Sequence, residues 1–90
     1  MIRKRIIFSG SVQGVGFRWR AKKAAEMYGV TGWVRNDWNG SVTMEAQGTE
    51  EQIDQVTAAI RRGMYISIDH AESRTIPVDP DEREFRTEYD

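Results

Sequence analysis

The residues best suited to chemistry in this ninety-residue chain lie where an apolar opening segment meets a glycine-bearing loop. Gly10, Gly14 and Gly16 punctuate the loop Ser9–Gly16, and Phe17 and Arg18 follow at once. Such a loop, entering a helix N-terminus, turns several backbone N–H groups toward one point, and the helix dipole adds positive potential there. An arginine in the first helical turn can grip a phosphate or carboxylate through two parallel hydrogen bonds. The pattern therefore fits an oxyanion cradle. It fits equally a tight turn before a helix with a solvated surface arginine, and spacing alone leaves both open.

Composition removes other chemistries. There is no cysteine, so a disulfide framework, a thiol nucleophile and a Cys-ligated metal are excluded. His70 is the only histidine, which rules out a multi-histidine metal site, and nothing around it suggests a Ser-His-Asp triad. No carboxylate pair stands near the loop. No apolar run approaches the ~20 residues of a membrane-spanning helix, and the opening apolar stretch is too short for a secretory leader. The expected setting is the cytoplasm. The net charge of -1 conceals an asymmetry. Residues 1–45 carry eight basic and three acidic side chains, or +5, and residues 46–90 carry five and eleven, or -6.

The elements that must hold the loop follow from periodicity. Arg5–Phe8 reads as a strand, and from Phe17 a helical period places Phe17, Ala21, Ala24, Ala25 and Tyr28 on one face, with Gly29 as its stop. Val30–Asn36 is a second strand, 37–40 a turn marked by Asn39-Gly40, and Val42, Met44 and Ala46 alternate with polar residues in a third strand. That alternation predicts one buried and one polar face. Thr49 and Gln52 form a capping box for a second helix, with Ile53, Val56 and Ile60 as its stripe and Gly63 as its stop. Tyr65–Arg74 is a fourth strand with a bulge near His70-Ala71, and Glu84–Tyr89 a short last one. The order predicts one α+β domain over 1–90. It is a ferredoxin-like βαββαβ sandwich, two helices on one face of an antiparallel sheet, with a short extra C-terminal strand.

Two stretches now carry a resemblance. Gly10-x-Val12-Gln13-Gly14-Val15-x-Phe17-Arg18 resembles the first signature of the acylphosphatases. Gly32-Trp33-Val34-Arg35-Asn36-x-x-x-Gly40-x-Val42, followed by Gly48, resembles their second, with its spacings kept. The resemblance covers nearly the whole chain. It implies a small ferredoxin-like enzyme that hydrolyses acyl phosphates to a carboxylate and inorganic phosphate, without a metal or other cofactor. It maps the phosphate-binding arginine to Arg18 and the water-positioning asparagine to Asn36. The phosphate cradle falls on the backbone amides of Gln13, Gly14, Val15, Gly16 and Phe17. The expected partners are a small acyl phosphate and its phosphate product, with no nucleic acid and no membrane, and the expected state is a monomer.

Two other functions share these features. An anion-binding module would keep the cradle without turnover. An RNA-recognition domain would share the βαββαβ order, but it stacks bases on aromatics of the first and third strands. Neither face of the third strand has an aromatic residue, and the acidic second half opposes a phosphate backbone. Bland roles are expected elsewhere: Trp33 for packing, Trp19 and Trp38 for the surface, and Arg35 for a surface charge on the strand face opposite Asn36. Arg20, Lys22 and Lys23 are expected to raise the local concentration of a small anion.

Overall fold

The computed structural model describes residues 1–89. The elements are β1 (Ile2–Ser11), α1 (Phe17–Tyr28), β2 (Thr31–Asn36), β3 (Val42–Gly48), α2 (Glu50–Arg61), β4 (Ser67–Ile76) and β5 (Phe85–Glu88). They build one five-stranded sheet in the order β4-β1-β3-β2-β5. The βαββαβ order with an added strand is as expected. One feature differs: β5 runs parallel to β2, so the sheet is mixed rather than antiparallel throughout. The reason is the route of the chain. Ile76 ends β4 beside Arg3, near the start of β1, and Phe85 begins β5 beside Gly32, near the start of β2. The intervening segment thus leaves and rejoins the sheet at the same end, so β5 must run the same way as β2.

Both helices cover one face. Ile6, Phe8, Val34, Val42, Met44 and Phe85 meet the apolar stripes of α1 and α2 in a single buried cluster. The ring of Phe8 lies 5.0 Å from that of Phe17, which anchors the first turn of α1 on β1. α2 carries the expected capping box, with the Gln52 amide donating to Thr49 Oγ1 and the Thr49 amide donating to Gln52 Oε1. At Gly32, φ is 144°, and a Cβ there would collide with the carbonyl oxygen of Glu45 on β3. Only glycine lets the two strands approach so closely.

The other face of β3 is polar, as its alternation predicts, but it is also buried: Thr43, Glu45 and Gln47 are almost fully covered. The cover is the 77–84 segment together with Arg3. Arg3 donates to Glu45 at 2.9 Å, to Gln47 at 3.1 Å and to both Glu82 carboxylate oxygens at 2.8 and 3.1 Å. Gln47 also accepts from the Asp79 amide and donates to its carbonyl. Hydrogen bonding to Glu82 foremost, against the penalty of burial, raises the pKa of Arg3, and Glu45 adds to the effect. This strap fixes where β5 starts, and so delivers the residues after Phe85 to the far end of the sheet.

β1 reaches beyond the expected Arg5–Phe8 at both ends, and β4 runs two residues later than expected. The bulge is present: Ser9 pairs with His70 and Gly10 with Ile68, leaving Asp69 as the extra residue. It resets the alternation, so Ile68 before it and Ala71 after it both pack against the core. His70 is exposed on this edge strand. No helix among the described residues is long and apolar enough to cross a membrane.

Candidate active site

The loop after β1 differs from every other helix entry in the chain. Gly16 is the N-cap of α1 with φ 80°, Gly14 has φ 72°, and no side chain caps the helix. A β-carbon at either glycine would meet nothing within 4 Å, so the positive φ is what calls for glycine there. The first helical hydrogen bond runs from the Arg20 amide to the Gly16 carbonyl at 3.0 Å. Among the described residues no protein acceptor faces the amides of residues 13–19. α2 spends its first-turn donors on a capping box and places Glu50 and Glu51 there. α1 has no acidic residue in its first turn and carries Arg18 instead, against the preference of the helix dipole. A run of uncommitted donors beside a cation is an arrangement that an anion completes.

The loop forms one wall of a cleft of about 310 Å³ at the end of the sheet. Gly14 and Gly16, together with Arg18 and Trp19, line it on the helix side, and Asn36, Thr87 and Tyr89 line it on the sheet side. Arg18 and Asn36, eighteen positions apart in the chain and on different elements, therefore share one cavity. The register explains how. Phe8 and Asn36 both pair with Val42, one from each side of β3, so β1 and β2 part from β3 at the same level, β1 running on three residues beside β4. Among the described residues no carboxylate lines this cleft. Arg18 makes no ion pair among the described residues, and its guanidinium lies 5.0 Å from the ring centre of Tyr89. The Asn36 side chain makes no hydrogen bond within the described residues, which leaves both its donor and acceptor ends free.

Gln13, Val15 and Phe17 fill other places. Phe17 is buried in the core, Val15 packs against it, and each contributes only its backbone to the loop. The Gln13 side chain has a role that sequence reasoning missed. Its amide donates to the carbonyls of Asp37 and Ser41 at 2.7 and 2.8 Å, tying the loop to the turn that follows Asn36. Nothing in the sequence pairs these segments; their meeting is a consequence of strand order. Asp37 is itself held by Thr43 Oγ1 at 2.6 Å, Ser41 Oγ at 3.0 Å and Arg35 Nε at 3.1 Å. Burial pushes the Asp37 carboxyl up, but these hydrogen bonds, Thr43 first, outweigh it and set its pKa below the ordinary value.

A larger concavity of about 470 Å³ lies beside the first, with Tyr89 common to both. It contains neither Arg18 nor Asn36. Arg35 stands there, stacked 5.0 Å from the Trp33 ring and paired with Asp37, so its charge is already met. Chemistry rather than size makes the smaller cleft the candidate site. Trp38 is 92% exposed, and Trp19 is exposed at the cleft mouth. Of the three extra cations near α1, only Lys22 lines the cleft: Arg20 donates to the Ala59 carbonyl at 3.1 Å and Lys23 lies over Trp19. Among the described residues no group of three or more His, Asp or Glu could hold a metal ion.

Known proteins share this sequence pattern and this fold. The family model for acylphosphatase matches residues 4–87. An acylphosphatase of Geobacillus thermodenitrificans is 39% identical over 90 residues, covering 99% of this chain and 96% of the relative. The crystal structure of acylphosphatase from Bacillus subtilis superposes with a TM-score of 0.90 at 29% identity, covering 99% of this chain and all of that one. An acylphosphatase structure from Coxiella burnetii has a TM-score of 0.87 at 32% identity, over 97% of this chain and 92% of the other. The chain belongs to the acylphosphatase family, enzymes that hydrolyse acyl phosphates.

Proposed function

We propose that this cleft hydrolyses acyl phosphates by in-line attack of water on phosphorus, with no metal taking part. The backbone amides of Gln13 to Phe17 hold the phosphoryl oxygens, and Arg18 neutralises the charge they carry. The Asn36 carbonyl accepts a hydrogen bond from the attacking water and aims it opposite the acyl oxygen. The water oxygen bonds to phosphorus as the bond to the acyl oxygen breaks. The electron pair leaves on the carboxylate, and the water proton passes to a phosphoryl oxygen. The departing acid has a pKa near ~4, so it leaves as an anion without a general acid. Arg18, Asn36 and the loop amides suffice for that chemistry without a carboxylate.

The observation that carries this reading is the run of amides at 13–19 without protein acceptors, beside Arg18 and across from Asn36. The ninety residues act as one domain and as a monomer, in the cytoplasm, on a small soluble substrate with no nucleic acid or membrane partner. Paired variants test the site. Arg18→Ala raises the inhibition constant for inorganic phosphate and lowers kcat. Asn36→Ala lowers kcat by about a hundredfold, the scale of a lost oriented group at a transition state, and leaves phosphate inhibition within about twofold. Wild-type hydrolysis of acetyl phosphate by both variants would overturn the assignment.

A further inference from the structure

We infer that Lys22 is a second anion contact of the cleft and selects acyl phosphates whose acyl part carries another negative group, such as the monophosphates of dicarboxylic acids. The inference rests on the acyl phosphate reading above and asks which acyl group the site prefers. Lys22 lies one helical turn beyond Arg18, so both side chains rise from the same face of α1 with Cβ atoms about 5–6 Å apart. Both line the cleft. Lys22 makes no ion pair among the described residues, and Glu26, a further turn along and beside the adjoining groove, does not pair with it. Among the described residues the cleft thus holds two unpaired cations and no acid, while Glu26 and Glu84 line the adjoining groove that Lys22 also borders.

One cation is accounted for by the phosphate. The other stands where the leaving group goes. Asn36 is on the sheet wall and Lys22 on the helix wall, and in-line attack by a water held at Asn36 drives the acyl oxygen away from that asparagine. A short acyl chain directed toward Lys22 brings a terminal carboxylate within reach of its flexible ammonium. The neighbouring Thr87 and Trp19 offer a hydroxyl and a ring edge but no competing charge.

The test compares acetyl phosphate with succinyl phosphate, which adds a terminal carboxylate, in wild type, Lys22→Gln and Lys22→Arg at low ionic strength. Wild type favours succinyl phosphate in kcat/KM. Lys22→Gln lowers kcat/KM for succinyl phosphate about fivefold, the upper range for a single partly exposed ion pair, and changes acetyl phosphate less than about twofold. Lys22→Arg restores the preference, and added salt erodes it. Equal losses on both substrates would assign Lys22 to the general field of the site and overturn the inference. Equal wild-type rates on the two substrates would also overturn it, while leaving acyl phosphate hydrolysis intact. A wild type inactive on both would overturn the hydrolysis reading and this inference together.

Discussion

Replacing Gln13 by methionine removes both hydrogen bonds that tie the loop to the turn after Asn36 while keeping the length of the side chain. The cost can be worked from the two acceptors. The Asp37 carbonyl also accepts from the Gly40 amide at 3.2 Å, and the Ser41 carbonyl also accepts from the Asp37 amide at 2.9 Å. Neither oxygen is left bare by the change, so the loss stays near the net value of a hydrogen bond, about 1 kcal/mol each and about 2 kcal/mol in all. For a chain of this size that lowers Tm by roughly 8–16 °C. The larger effect is on geometry. In the proposed mechanism the bridge sets the separation between the amides that would hold phosphate and the asparagine that would aim the water. Loosening it lowers kcat by about tenfold or more, since small misplacements of reacting groups are costly, and leaves phosphate inhibition within about threefold. Urea unfolding and acetyl phosphate kinetics measure the two quantities. The expected stability loss with an unchanged kcat would refute the link between the bridge and catalysis; unchanged stability would refute the bridge itself.

Other consequences follow from the same contacts. Arg3→Met leaves the Glu82 carboxylate, 2% exposed, without its main cation and takes from Glu45 one of its two arginines, the other being Arg5 at 2.7 Å. The expected loss in urea unfolding is about 3–5 kcal/mol, and a loss below ~1 kcal/mol would mean that the strap is held by other contacts. Asp37 has a lowered folded pKa, so its stabilisation is present above the ordinary carboxylate range near ~4 and is lost as pH falls through the folded value. Asp37→Asn therefore flattens stability against pH below about pH 4, and an unchanged slope there would contradict the reading. Gly32→Ala forces a β-carbon into the Glu45 carbonyl and should leave little folded protein by circular dichroism, whereas Gly14→Ala, with open space around it, should fold and lose phosphate affinity.

The elements that hold the site were legible because local signals agree. The capping box at Thr49 and Gln52, the glycine at 29 and the alternation of Val42, Met44 and Ala46 each name an element without help from the rest of the chain. Arg18 and Asn36 were legible as a pair only through the two signatures, since spacing alone left Arg18 equally readable as a solvated side chain. Burial of Glu45 and Gln47 was not legible. Alternation reports polarity, and a polar face reads as exposed unless something distant covers it. Here the cover is the strap, and the strap crosses because β4 and β5 sit on opposite edges of the sheet. The same long-range path makes β5 parallel to β2 and brings Thr87 and Tyr89 to the cleft. The Gln13 bridge belongs to this class too. Its acceptors are backbone carbonyls, which carry no sequence signal.

The charge asymmetry of the two halves was only partly informative. Arg20 and Lys23 are engaged with Ala59 and Trp19, which leaves Lys22 as the one member of that basic run facing the cleft. Meanwhile the acidic half supplies Glu82, which neutralises Arg3 from the basic half beneath the strap. The opposite charges of the two halves thus meet in the fold.

The claim that water attacks phosphorus has a direct measurement. Acetyl phosphate is hydrolysed by the wild-type protein in water enriched in heavy oxygen, and both products are weighed by mass spectrometry. Attack at phosphorus, with the phosphoryl group held by the loop amides and Arg18, places one labelled oxygen in inorganic phosphate and none in acetate. Label in acetate would mean attack at the carbonyl carbon and would contradict the account of this site.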